Sequence, residues 1–150
     1  MIIDGNLQLS NNQAITTTAD STNIVDLLNA GDLGAGEDLR VAITCLATCT
    51  AAGAATLNIQ LVGAANGDGA FGSPQIIDET SAIPKASLLI GNRFELNIPR
   101  IWAGSAVLAS VRYLKLTYTV ATGPLTAGSF SANIVKSNQD NRSYPANFAT

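Results

Sequence analysis

From residue 113 to 135 the chain alternates apolar and polar positions twice, with a break marked by glycine and proline between the two runs. Leu114, Leu116, Tyr118 and Val120 share one side of the first run. Phe130, Ala132 and Ile134 share one side of the second. A period of two marks a strand with one buried face, so the stretch predicts two strands joined as a hairpin by the loop ATGPLTAG and closing a core. Other runs repeat the pattern. Leu57, Ile59 and Leu61 alternate with Thr56, Asn58 and Gln60, while Leu39, Val41, Ile43 and Cys45 share a face, as do Phe94, Leu96 and Ile98. Shorter strands are expected around Leu7 and Leu9, at TNIVDLL (residues 22–28), at PQIID and at ASLLI.

Turn chemistry separates these runs. GDLGAGEDL follows the second, and Asn66-Gly67-Asp68-Gly69 carries the Asn-Gly and Asp-Gly pairs that supply positive φ in tight turns. Pro84, Pro99 and Pro124 fall at strand ends or in loops, where a missing N–H does no harm. Helical periodicity never lasts beyond a turn or two. Eight or nine short strands punctuated in this way predict an all-β fold, an antiparallel sandwich or barrel, in a single domain over residues 1–136. After Lys136 the alternation gives way to SNQDNRSYPANFAT. Residues 137–150 are therefore expected to be a polar C-terminal arm, either disordered or docked on a neighbour, with its aromatics Tyr144 and Phe148 favouring docking.

Composition narrows the function classes. A chain of 150 residues is long enough to bury a core without metal or disulfide. Charged residues make up only 13%, roughly half the usual share, and Ala, Thr, Ser, Asn and Gly fill their place, which suits a surface that lies against other protein. Net charge is −3 and the eight bases are scattered singly, against nucleic-acid binding. MIIDGNLQLS lacks the charged and apolar regions of a signal peptide, and the uncharged stretch from 41 to 67 is too polar for a membrane span. A soluble protein made in the cytoplasm is expected.

The search for chemistry is short. Histidine is absent, so serine and cysteine triads lack their usual base. Glu37-Asp38 and Asp78-Glu79 are adjacent, which on extended chain points the two carboxylates to opposite faces, and each pair is expected in a solvated turn. Gly31 to Gly36 has neither the lysine nor the following helix of a phosphate loop. Asp68 alone cannot hold calcium. Cys45 and Cys49, on one face of a regular strand, would stand roughly 13 Å apart, beyond a disulfide, unless a bulge or turn brings them together. They read as two small buried hydrophobes, and two thiols do not complete a zinc site. No cofactor, metal or catalytic residue is expected. Trp102 is the single indole, too little for the stacking platforms of a sugar-binding sandwich.

The order of words along the chain adds a family. Met1-Ile2-Ile3-Asp4, Leu7-Gln8-Leu9-Ser10, Gln13-Ala14-Ile15-Thr16, the stretch from Ser21 to Leu27 and the stretch from Thr50 to Leu57 resemble the capsid cement proteins of short-tailed phages, the Bordetella-phage type. The likeness is densest in Tyr113-Leu114-Lys115-Leu116, Tyr118-Thr119-Val120 and Thr122 to Gly128, and continues in Gln139-Asp140-Asn141-Arg142 and Tyr144-Pro145. It is weakest between residues 64 and 101. The resemblance implies a jelly-roll sandwich of about eight strands. It implies a head-decoration role too, on the outside of a major capsid shell of the HK97-like fold, where small homo-oligomers, dimers or trimers, clamp neighbouring capsid subunits. Expected partners are thus the major capsid protein and further copies of the chain, with no nucleic acid and no membrane. The expected location is the virion exterior after assembly in the host cytoplasm. Three contact elements are expected. They are the termini (Ile2, Ile3 and Leu7 with Tyr144 and Phe148), the loop bearing Trp102, and Pro124-Leu125 in the long loop. The alternative reading is a fibre or spike head that binds host carbohydrate.

Overall fold

The two alternating runs near the end of the chain form strands, but they take other partners rather than each other. The computed structural model describes residues 4–27, 39–66, 71–72, 74–99 and 111–136. Its strands are β1 (Gln8–Ala14), β2 (Ala19–Asp20), β3 (Val25–Asp26), β4 (Leu39–Thr50), β5 (Thr56–Ala64), β6 (Gln75–Glu79), β7 (Ile83–Pro84), β8 (Arg93–Ile98), β9 (Tyr113–Ala121) and β10 (Ala127–Val135). One antiparallel sheet has the order β1-β10-β4-β8. The second has the order β2-β9-β5-β6, with β3 also pairing β9 and β7 also pairing β5. The two form a sandwich, as the alternation predicted.

The expected hairpin is therefore corrected: the loop after β9 carries the chain from the second sheet to the first. The predicted faces are nevertheless right. Leu114, Leu116 and Tyr118 of β9 point into the core from one layer, and Phe130, Ala132 and Ile134 of β10 meet them from the other. The Tyr118 and Phe130 rings stack across the layers with centroids 5.8 Å apart and 29° between planes. Leu57, Ile59 and Leu61 add to one side, and Val41, Ile43, Leu96 and Ile98 to the other. Each such large side chain contributes about 1.5–3 kcal/mol by leaving water, so the interlayer face dominates stability.

One buried polar group crosses this core and is fully satisfied. The Tyr118 hydroxyl lies 2.9 Å from Ser10 Oγ, and Ser10 Oγ donates to Gln13 Oε1 at 2.9 Å. A serine hydroxyl has one proton, so Tyr118 is the donor in the first bond. Gln13 Oε1 also accepts from the Thr22 N–H, and its Nε2 donates to Asp20 O. Burial pushes the Tyr118 hydroxyl up to about 12, although the Ser10 bond pulls the other way.

β4 departs from regular geometry. Opposite β10 its register runs Cys45↔Phe130, Ala47↔Ser129 and Thr50↔Ala127, so two residues of β4 are extra. Such bulges kink the strand and re-aim side chains. They also shorten the path between the cysteines, which are both buried and free. Cys45 Sγ donates to Ala47 O at 3.1 Å, inside the first bulge. Burial, with Cys45 beside it, pushes the Cys49 thiol up to about 12. Opposite Cys49, Gly128 has φ +147°, and a Cβ there would run into the Cys49 sulfur.

Several local expectations change. ASLLI is not a strand: Lys85–Ser87 forms a 3-10 turn after Pro84, and a tight turn follows at residues 89–92 with Gly91 at φ +85°. Among the described residues of TNIVDLL, Val25–Asp26 pairs as a strand. Asp78-Glu79 lies on β6, not in a turn. Residues 31–36, Glu37-Asp38, Asp68 and the arm over 137–150 lie outside the described residues.

Candidate interaction surfaces

With the inward faces committed to the core, the outer faces and loops are what a partner meets. The outer face of the second sheet is a field of neutral polar side chains. Asn58 and Gln60 on β5 stand opposite Thr119 and Thr117 on β9. Alternation puts them outward because their neighbours Leu57, Ile59, Leu116 and Tyr118 face inward.

The field is held in place by two carboxylates. Glu79 Oε2 accepts from Asn58 Nδ2 at 3.0 Å and from Gln60 Nε2 at 2.7 Å. These bonds, Gln60 first and then Asn58, lower the proton affinity of Glu79 below the ordinary carboxylate range. Asp20 accepts from Thr117 Oγ1 and from Lys115 Nζ, each at 2.7 Å. Burial raises its proton affinity, but the bonds from Lys115 and Thr117 and the lysine charge outweigh it, so Asp20 also titrates low. Lys115 Nζ further sits 4.4 Å from the Phe71 ring centroid. At the sheet's β3 side, Arg112 makes a two-pronged bond to Asp26, with both contacts at 2.8 Å.

Single groups along the β1 and β8 edges are covered as well. The Asn23 N–H and side-chain amide donate to Leu9 O and Gln8 O along β1. Asp78 Oδ2 accepts the Asn97 N–H of β8 at 2.6 Å. Unpaired edge groups invite strand addition, and these side chains occupy them. On the outer face of the first sheet, Ala42, Asn133 and Val135 are buried, and Asn133 Oδ1 has no hydrogen-bond partner.

Of the contact residues expected from sequence, Leu7, Pro124 and Leu125 are described; Ile2, Ile3, Trp102, Tyr144 and Phe148 lie outside the described residues. Leu7 is half-buried against the core. Pro124 is exposed. Leu125 is only 2% exposed, and its N–H donates to Thr16 O, so its side chain serves the fold. Sequence reasoning passed over Leu46, Leu89 and Ile90, which are large, apolar and exposed. The turn pair Gly91-Asn92 after Ile90 was the signal that this run ends in a turn.

Among the described residues no group of three or more Cys, Asp or Glu is arranged to hold a metal ion. No helix among them is long and apolar enough to cross a membrane. The geometry is one of ordered, mostly uncharged surfaces around a filled core. Residues 9–134 match the Bbp16 family model. The chain belongs to the Bbp16 family. The match runs from β1 to the end of β10 and so takes in both sheets. The family name is that of a Bordetella phage protein, which suggests phage origin and association with the virion. No curated protein matches the chain.

Proposed function

We propose that this chain is a capsid cement protein, a decoration protein that binds the outside of an HK97-like major capsid shell and clamps adjacent capsid subunits. The observation that carries this reading is membership of the Bbp16 family across nearly all of the sandwich. The strand orders support a jelly-roll topology. β1 lies beside β10, and the chain changes layer between β1 and β2, β3 and β4, β4 and β5, β7 and β8, β8 and β9, and β9 and β10, while β5 and β6 pair within one sheet. The role is structural and assigns no catalytic step, cofactor or metal.

The physics of clamping suits such a fold. A homo-oligomer that engages one capsid subunit presents its remaining sites to neighbouring subunits at high effective concentration, so modest contacts act together. Because only the assembled lattice offers all of them, the binding free energy adds to the stability of the shell. Contacts are assigned to the termini (Ile2, Ile3, Leu7, Tyr144, Phe148), to Trp102 and to the loop exposing Pro124. Leu125 sets the shape of that loop from beneath.

Cryo-electron microscopy of purified particles tests the reading. The expected result is density for the sandwich on the outer shell, in a copy number set by the capsid lattice. Shells without that density, or a copy number matching a tail fibre, would refute it. Removal of residues 138–150 is expected to lower retention on the shell with an unchanged far-UV circular dichroism spectrum. Unchanged retention removes the arm from the contact set.

A further inference from the structure

Turns are usually built from Gly, Pro, Asn, Asp and Ser. The turn at residues 89–92 instead carries Leu89 at 48% exposure and Ile90 at 68%. Neither side chain is free to fold inward, because the backbone beneath is tied at every step. The Asn92 N–H closes the turn on Leu89 O at 3.0 Å, and Gly91 at φ +85° takes the positive-φ place of a type II turn. The Ile90 N–H donates to Thr48 Oγ1 at 3.0 Å, Gly91 N–H to Cys45 O at 2.8 Å and Asn92 Nδ2 to Ser87 O at 2.9 Å. Leu88, fully buried, anchors the turn in the core, and its carbonyl takes the Cys49 N–H. On the strand to which this turn is bonded, Leu46 is the extra residue of the first bulge and is 40% exposed.

The charge around this apolar tip has one sign. The sequence contains no acid between Asp38 and Asp68, nor between Glu79 and Glu95, and these are the stretches that build the tip. Arg93, which is exposed, follows the turn, while Lys85 before it is half-buried with its Nζ donating to Ala51 O at 2.6 Å. The next acid on β8, Glu95, is paired with Arg40 at 2.8 Å. A chain of net charge −3 thus presents a basic rim here.

We propose that the Leu89–Ile90 turn, with Leu46 beside it, docks into an apolar socket edged by carboxylates on a partner protein. This rests on the cement reading, with the capsid shell as that partner. A rigid apolar tip loses little freedom on binding, which is what makes a contact an anchor. A second copy is the poorer occupant, because a two-fold contact through this tip would set the exposed Arg93 against its own counterpart.

The test is rebinding of purified protein to shells stripped of it, with sedimentation of the protein alone in parallel. Ile90→Asp and Leu89→Asn are expected to keep the wild-type unfolding midpoint and to bind at least about tenfold more weakly. Arg93→Glu is expected to weaken binding several-fold and flatten its salt dependence, while Arg93→Lys binds as wild type. Wild-type binding by both apolar variants would overturn the inference alone. Failure of the wild-type protein to rebind would overturn the cement reading and this site with it. Loss of self-association in Ile90→Asp would make the occupant a second copy and overturn the assignment to the shell.

Discussion

Replacing Gly128 with alanine tests the packing logic at the point where the two ends of the strand system meet. Two separate costs are expected. At φ +147° an L-residue is strained, and a Cβ built there collides with the sulfur of buried Cys49. Strain of this kind costs about 1–3 kcal/mol and overpacking a further 1–3. A loss of about 3 kcal/mol, with a urea slope of about 1.5 kcal/mol per molar, lowers the midpoint by about 2 M. Urea unfolding followed by far-UV circular dichroism measures it. The same substitution in a Cys49→Ala background separates the two terms, since that background removes the sulfur and leaves the backbone strain. The double mutant is expected to show about 1–2 kcal/mol of favourable coupling. A Gly128→Ala loss below about 0.5 kcal/mol would refute the geometry. An equal loss in both backgrounds would refute the collision and leave only strain.

Other outcomes follow from the buried and edge polar groups. The Tyr118 hydroxyl, raised to about 12, contributes stability that is fully present below its unfolded value near 10 and is lost as pH rises through about 12. The unfolding free energy from urea titrations should therefore fall on the alkaline side by about 2–3 kcal/mol from this group, with Cys49 adding in the same direction, and Tyr118→Phe should flatten the profile. Tyr118→Phe at neutral pH loses the bond to Ser10 and is expected to cost about 1 kcal/mol. Asp20 titrates low, so its contribution is present above its unfolded value near 3.9 and disappears as pH falls through the lower folded value. Lys115→Met should shrink that acid-side loss in a pH series of thermal melts. Asp78→Ala removes the acceptor of the Asn97 N–H and is expected to cost about 1–2 kcal/mol and to raise self-association in light scattering, because it uncovers the β8 edge.

How far the sequence carried depended on the kind of information each segment held. Alternation assigns faces, so the inward residues of β5, β8, β9 and β10 were legible in full. It does not assign partners, and β9 and β10 therefore read as a hairpin when each pairs elsewhere. The short strands β2 and β3 exist only because β9 lies beside them. Local pattern marked the stretch around β3 as a strand of seven residues and gave no sign of β2. The two extra residues of β4 were equally hidden, since a bulge shows in the register against β10 and not in the residues themselves. At the surface, Leu125 looked like a loop residue and is core, while Leu88 to Ile90 looked like a strand and is mostly an exposed turn. Both misreadings arise because loops that turn back onto a core bury some apolar residues and expose others without any regular period.

The position of β10 bears on how the protein is made. It sits between β1 and β4, so β1 has no partner in its sheet until β10 has been made. Residues 8–14 cannot pair until residues 127–135 have been synthesised. During that interval the β1 edge, Leu9 included, is open to strangers. The bonds from Asn23 to Gln8 and Leu9 then have a use beyond the finished fold, since they come from residues made moments after β1 and can shield it during the wait. A sheet that closes through contacts so far apart in sequence is slow to nucleate. Any binding face that needs the completed first sheet is therefore presented only after β10 has paired on both sides.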